Sequence, residues 1–337
     1  MTVDILIPTY KPGKEFVELI NLLLKQTVDI HKIIIMNTEE VFFERLMYDF
    51  PKLQKISKLE IHHLPQNEFD HGGTRHRGMK YSKADVCVCM TQDAVPADEH
   101  LIENLIAPLK DSRVAVSYAR QLPKAGAGPL EQFSREFNYP AESKEKTKED
   151  IATMGIKAFF CSDVCAAYNR ETYMELGGFI RHTIFNEDMI FANGALKAGY
   201  HVYYAAEAKV LHSHEYGFKQ QLCRNFDLGV SQADHPEVFA GISSESEGKR
   251  MVLSACKHFI SIGKPLEILH LVTQSGAKYI GYFLGKRYQK LPEKFIKRLT
   301  SNPTYWQKHR LKVEQEQIDA YSGYGQSESE KAMRKKD

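Results

Sequence analysis

Val3-Asp4-Ile5-Leu6-Ile7-Pro8-Thr9-Tyr10, with the run Lys32-Ile33-Ile34-Ile35-Met36 that follows it, decides the fold of this 337-residue chain. Both runs are short, apolar and β-branched, the pattern of buried strands. Between them, residues 15–26 carry apolar side chains at 16, 19, 20 and 23, the spacing of one helix face. Strand, helix and strand in succession make a βαβ unit, whose two strands run parallel. The alternation continues outward with a helix over Glu39–Phe50, a strand over Leu59–Leu64 and a short helix over Gly73–Ser82. A strand over Val86–Thr91, a helix over Leu101–Leu109 and a strand over Val114–Tyr118 follow. The expectation is an α/β fold with a mostly parallel sheet flanked by helices.

Past this region the pattern loosens. Residues 121–157 are rich in Pro, Gly and charge and read as loops and short helices; Ala158–Tyr168 is apolar again, and a helix then ends at Gly177-Gly178. A helix over Glu187–Ala198 stops at Gly199, and a strand pair is expected over His201–Tyr204 and Ala208–Leu211. From about Tyr216 to Leu299 the pattern is helical, and the Ser-, Gly-, Glu- and Lys-rich end reads as disordered. The resulting division is a catalytic domain over 1–235, a helical basic extension over 236–312 and a charged tail over 313–337.

The net charge of +2 conceals an asymmetry. Residues 249–312 hold fourteen Lys/Arg against two acids, Glu267 and Glu293, so this arm carries +12 and the remainder of the chain −10. A basic arm on an acidic body points to an anionic partner surface. Leu266, Leu269, Val272, Tyr279, Ile280 and Phe283 can form an apolar helical stripe, followed by Lys286, Arg287, Lys290, Lys294, Lys297 and Arg298. That describes either an interfacial helix on anionic lipid or a helix packed on the catalytic domain with a solvated basic face. Nucleic acid is not the expected partner, because the arm has no motif of defined groove-reading geometry. No apolar run reaches the ~18 residues of a membrane span, and the N-terminus lacks the basic start and apolar stretch of a secretory signal. The expected location is the cytoplasm, peripheral on the inner face of the cell membrane. The six cysteines lack the paired spacings of a structural zinc site and read as reduced, buried thiols.

Parallel sheets bind ligands outside the carboxyl ends of their strands. The residues at those positions are Pro8-Thr9-Tyr10, Asn37-Thr38-Glu39 and Thr91-Gln92-Asp93. Asp93 is either a turn residue or a carboxylate that holds a divalent ion against a diphosphate. His212 and His214 follow a strand in alternate positions, so both imidazoles can face one ion; with Asp93 they make a mixed N/O set suited to Mn²⁺ or Mg²⁺. The alternative is two surface histidines. Glu187 and Asp188 open a helix, where acids are favoured by the dipole or serve, one of them, as general base for a hydroxyl. Gly72-Gly73-Thr74-Arg75-His76-Arg77-Gly78 places small residues and two arginines at a helix start, an arrangement suited to an anion.

In order along the chain, these segments resemble bacterial family 2 glycosyltransferases of the GT-A fold. Residues 4–10 look like that family's nucleotide-binding first strand, and Thr74–Gly78 stands where it has Ala-Arg-Asn-x-Gly. Thr91–Pro96 is similar to the metal-binding Asp-x-Asp segment, with Thr91 in place of the first Asp. Gly177-Gly178-Phe179 followed by Asn186-Glu187-Asp188 is similar to the acceptor-side motif with its catalytic aspartate, and Leu211–His214 to the later metal-ligand segment. The Phe-Asp-His-Gly-Gly, Thr-Gln-Asp-Ala and Ala-Arg-Gln-Leu-Pro segments look most like cell-surface polysaccharide rhamnosyltransferases.

The resemblance implies single displacement with inversion at the anomeric carbon. Asp188 would be the base; Asp93 and His214, with His212, would hold Mn²⁺ or Mg²⁺. Pro8, Thr9, Tyr10, Glu39, Arg75, Gln92 and Asp93 would bind the donor, and Asp163, Gly178, Phe179 and Glu187 would lie on the acceptor side. Arg224 would be a second phosphate contact. The implied donor is dTDP-L-rhamnose and the acceptor a glycan or lipid-linked glycan. The alternatives are a UDP-sugar-dependent enzyme or an inactive carbohydrate- or nucleotide-binding protein on the same fold. A nucleotidyltransferase fits poorly, because Thr9-Tyr10-Lys11-Pro12-Gly13 is not the Gly-rich, basic loop such enzymes carry there.

Overall fold

The computed structural model describes residues 1–242 and 244–307, and side chains throughout these except at 244–246. The tail expected over 313–337 lies outside the described residues. The first half alternates as the periodicity predicts: β1 (Val3–Tyr10), α1 (Lys14–Leu23), β2 (Lys32–Thr38), α2 (Glu40–Asp49), β3 (Leu59–Leu64), α3 (His71–Tyr81) and β4 (Val86–Met90). Next come β5 (Val95–Pro96), α4 (Leu101–Ile106), β6 (Val114–Leu122), α5 (Pro129–Asn138), β7 (Lys144–Lys146) and α6 (Asp150–Met154). Then follow β8 (Cys165–Asn169), α7 (Arg170–Glu175), α8 (Glu187–Lys197) and β9 (His201–Leu211). The helices α9 (Phe218–Asp234), α10 (Pro236–Phe239), α11 (Ser244–Ser261), α12 (Glu267–Gly285) and α13 (Glu293–Leu299) follow.

One sheet runs in the order β3-β2-β1-β4-β8-β6-β9-β5, with β7 added on β9. The block β3-β2-β1-β4 is parallel throughout. In the second half, β6 and β9 are parallel while β8 runs against both β4 and β6. The apolar positions 16, 19, 20 and 23 of α1 are all buried, on one side of the sheet with Ile5, Ile33 and Ile35. The opposite face carries Leu6, Ile34 and Met36 with the aromatic group around Tyr168 and Phe179.

The chain leaves β1 toward β2 and β3, then returns to the other side of β1 as β4. This is the switch point at which open α/β sheets bind their ligands. The expected strand pair over 201–211 is instead one strand, β9. Its pairing with β6 jumps from Ala119↔Ala205 to Arg120↔Lys209, and the residues in the bulge interrupt the alternation.

The C-terminal helices pack on this body. α9 and α12 run side by side in the same direction, with Gly281 against the Leu222 carbonyl and Gly285 against the Phe226 carbonyl. A Cβ at Gly281 or Gly285 would lie 2.2 or 2.0 Å from those oxygens, so only glycine lets the helices approach this closely. Leu271 of α12 packs with Ala255 and Phe259 of α11 and with Leu130 and Phe133 of α5. The inner face of α12 is therefore packed on the rest of the chain, and its outer side leaves Leu269, Val272 and Tyr279 exposed. Among the described residues, no helix is long and apolar enough to cross a membrane.

Candidate active site

The carboxyl ends of β1 and β4 are tied together by one side chain. Gln92 accepts from the Tyr10 backbone N–H and donates to the Tyr10 carbonyl, both at 3.0 Å. Thr9 Oγ1 donates to Asn37 Oδ1 at 3.0 Å, which adds the end of β2. Above these ends lies a cleft of about 410 Å³, walled by Pro8, Thr9, Tyr10, Thr38, Gln66 and Gln92. Tyr10 is partly exposed, its ring edge-on to Phe42 at 5.5 Å. Glu39 turns away: its carboxylate accepts from the Gln66 backbone N–H, and Thr38 and Gln66 stand at the wall in its stead.

β-Pairing assembles the next group. Val95 of β5 pairs with Leu211 of β9 in antiparallel register. Continued by two residues, that register sets Asp93 across from Ser213, between His212 and His214. Asp93 Oδ2 lies 3.0 Å from His214 Nε2, and Oδ1 lies 3.7 Å from His212 Nε2. Potential ligand atoms of all three lie within 4.8 Å of one another. Gln121, at the end of β6, orients the set: Arg135 donates to its Oε1, which is thus the acceptor for His212 Nδ1–H at 3.1 Å. That bond leaves the Nε2 lone pair of His212 turned toward Asp93, the second-shell arrangement typical of ligating histidines. Burial pushes His212 down to about 3, so it is neutral. Burial raises Asp93, but its hydrogen bond to His214 outweighs this and holds it below the usual carboxylate range. One carboxylate and two imidazoles fit Mn²⁺ better than Mg²⁺, which prefers oxygen.

A carboxylate group faces these ligands across the cleft. Arg75 of α3 is buried, with Nη1 2.9 Å from Glu187 Oε1 and Nε 3.2 Å from Asp163 Oδ2. Asp163 precedes β8, whose antiparallel run beside β4 brings it to the same sheet end, and it accepts from Tyr168 Oη at 2.6 Å. Asp188 accepts from the Asp163 N–H at 3.1 Å and the Met189 N–H at 2.7 Å. Glu187 and Asp163 thus share one guanidinium, with Asp188 beside them on backbone N–H groups. Burial first, then the charges of Glu187 and Asp163, push Asp188 well above the usual carboxylate range. Burial likewise raises Asp163. Asp163 and Asp188 thus hold on to a proton between them.

Asp163, Glu187 and Asp188 line a second, polar cleft of about 650 Å³ with His212, His214 and Arg224. Its walls and those of the first cleft share His71, Arg75, Thr91, Phe185 and Arg224, so the two are one continuous groove. Arg224 stands at the junction, stacked on Phe185 at 4.9 Å and Tyr216 at 5.6 Å. Gly178 and Phe179 line neither cleft. They border a separate recess, Gly178 at φ +72° and Phe179 buried against Tyr168 and Tyr173. Gly178 touches α3 directly at His76, whose Nδ1 is 2.5 Å from where a Gly178 Cβ would stand.

Sequence reasoning missed Gln121, Gln66 and the C-terminal wall. Gln121 lies next to the end of β6, three residues past the strand expected over Val114–Tyr118, so the strand-end rule did not reach it. Ser301, Asn302 and Thr304 line the first cleft, and Lys278 of α12 the second. They are brought there by long-range packing with no local signal: Asp227 of α9 accepts from Thr300 Oγ1 and the Ser301 N–H at 2.7 Å each.

A nucleotide-type strand-end cleft, a metal-capable triad and an acidic group across one groove define a glycosyltransferase of the GT-A type. The chain belongs to Glycosyl transferase family 2, whose sequence profile it matches over residues 4–177. It is 36% identical over 313 residues to the O-antigen chain rhamnosyltransferase RfbN of Salmonella typhimurium, covering 91% of this chain and 96% of that one. It is 35% identical over 307 residues to the O-antigen chain rhamnosyltransferase WbaN of Salmonella anatum, covering 90% and 95%. The fold is similar to that of the mannosyltransferase PcManGT from Pyrobaculum calidifontis, solved with GDP-Man and Mn²⁺, at TM-score 0.58 and 12% identity over 86% of this chain and 88% of that one.

Proposed function

We propose that this enzyme is an inverting rhamnosyltransferase that moves L-rhamnose from dTDP-L-rhamnose to a hydroxyl of a growing, lipid-linked cell-surface polysaccharide. The names of the two relatives support the sugar and the polymer. The observation that carries the mechanism is the continuous groove, lined by Asp188 and by His212 and His214, with Asp93 beside the two histidines.

In this reading the nucleoside lies over the ends of β1 and β2, with the Tyr10 ring available to the base and Thr38 and Gln66 to its polar edge. Asp93, His212 and His214 hold Mn²⁺ or Mg²⁺, which when bound offsets charge on the diphosphate. Arg224 adds a guanidinium at the junction of the two clefts. Asp188 accepts the proton of the acceptor hydroxyl; the new C1–O bond forms on one face while the bond to the diphosphate breaks on the other, and dTDP leaves. Glu187 and Asp163 raise the basicity of Asp188, and Arg75 keeps their charges tolerable in a buried site. Glu39 in this reading positions Gln66, and Gln92 holds β1 to β4. Gly178 and Phe179 act as packing that supports α3 and α8.

Calorimetric titration with dTDP, UDP and GDP, each with and without Mn²⁺, tests the donor. Tighter, Mn²⁺-dependent binding of dTDP is expected. Preference for UDP would replace the donor, and absence of binding by any of the three would contradict the reading.

A further inference from the structure

The outer face of α12 lines neither cleft, yet it exposes a series of large apolar side chains. Leu266 at its N-cap, Leu269 and Val272 recur every three residues, and Tyr279, Ile280 and Phe283 follow two turns further along the same side; the first three are 85%, 69% and 55% exposed. Monomeric proteins seldom leave a continuous apolar stripe uncovered. The stripe cannot turn inward, because Gly281 and Gly285 hold the opposite face of α12 against α9. Nor is it frayed: Phe283 carries the Arg287 guanidinium on its ring at 3.8 Å, and Tyr279 lies 6.2 Å from it.

The charge around the stripe selects its occupant. Lys264 lies just before it, and Arg287, Lys290 and Lys294 just after, all exposed. The two acids of the arm are next to their own partners, Glu267 by His270 at 3.8 Å and Glu293 by Lys297 at 2.6 Å. A second copy of the chain would bring the same cations face to face, since a twofold interface sets like patch on like. An anionic bilayer satisfies both features at once, apolar side chains entering the acyl boundary and lysines meeting headgroups.

We infer that the outer face of α12, with the basic residues that flank it, docks the enzyme on an anionic lipid bilayer. The same helix contributes Lys278 to the wall of the second cleft. Docking through α12 therefore places that cleft close to the membrane, where a lipid-linked acceptor is held. This goes beyond the donor and base assignments and does not depend on them.

The test is flotation of the full chain with vesicles of phosphatidylcholine alone or with phosphatidylglycerol added. Binding to the anionic vesicles at low salt is expected, weakening as salt rises, with little binding to phosphatidylcholine alone. The double variant Leu269→Glu, Val272→Glu should lose at least roughly tenfold in vesicle affinity, and Lys290→Glu with Lys294→Glu should flatten the salt dependence. Both pairs are exposed, and unchanged circular dichroism and nucleotide binding would show the fold intact. Equal flotation of wild type and the Leu269/Val272 variant would overturn the inference, as would no binding at low salt. So would a concentration-dependent dimer in sedimentation that Leu269→Glu dissolves, which would make the occupant a second copy. Failure of nucleotide binding in the wild type would instead strike the proposed function and leave this result standing.

Discussion

At Gln121, one carbonyl oxygen accepts from both Arg135 and His212, and the His212 ring takes its orientation from that bond. Gln121→Leu removes the acceptor while keeping the volume. Metal affinity is expected to fall about 10–100-fold, with metal-free nucleotide binding unchanged, in paired calorimetric titrations. At Asp188, the raised proton affinity means that activity needs the deprotonated form, and kcat/KM is expected to fall as pH drops, with a midpoint above an ordinary carboxylate's. A midpoint near the usual ~4 would contradict a buried Asp188 raised further by the charges of Glu187 and Asp163. Lys146 is a different case. Its buried ammonium donates to Tyr118 Oη and the Phe160 carbonyl, each at 2.8 Å, and burial pushes it down to about 7 from 10.5. Between those values the unfolded chain binds the proton and the folded one does not, so stability rises with pH. Relative to Lys146→Met, wild type should gain up to about 1.4 kcal/mol per pH unit from pH 7 to 9 in urea denaturation.

Among the elements, α3 depends on a contact that its own sequence does not announce. A Cβ at Gly72 would stand 1.9 Å from the Ile180 carbonyl and 3.3 Å from Glu187 Cβ, so glycine is what lets α3 bring Arg75 to Glu187. Gly72→Ala is expected to cost about 1–3 kcal/mol in thermal or urea unfolding and to lower turnover with it. A neutral result would mean that the loop yields freely. The βαβ start of the chain was legible because each element's partner is its neighbour and periodicity reports burial directly. The alternation correctly placed β1 to β4 and their helices. β5 has only two residues and no period to read, and β9 was split by its bulge. The direction of β8, which delivers Asp163, is a matter of pairing with β4 and β6 rather than of local pattern. The Asp93–His212–His214 grouping was foreseen from residue order and family resemblance. Its geometric reason, the Val95↔Leu211 register, is visible only in the fold.

For the whole molecule, the helices after β9 complete the groove as well as extending the catalytic domain. Asp227 latches Ser301 to α9, and the residues beyond form a wall of the first cleft. Asp227→Ala is expected to raise the Kd for a nucleoside diphosphate roughly 3–10-fold, equivalent to about 0.7–1.4 kcal/mol. An unchanged Kd would make that wall passive. The long-range origin of this wall explains why a division at residue 235 reads naturally in the sequence and yet does not divide the site. The central claim is that Asp188 serves as base for rhamnose transfer in this groove. The direct measurement is transfer from dTDP-L-rhamnose to a lipid-linked acceptor with Mn²⁺, for wild type and Asp188→Asn, with nucleotide binding followed in parallel and product anomers assigned by NMR. The account predicts an inverted product from wild type, and in the variant a loss of at least about 10²-fold in kcat with nucleotide binding retained. Normal turnover by Asp188→Asn, or a product of retained configuration, would contradict it.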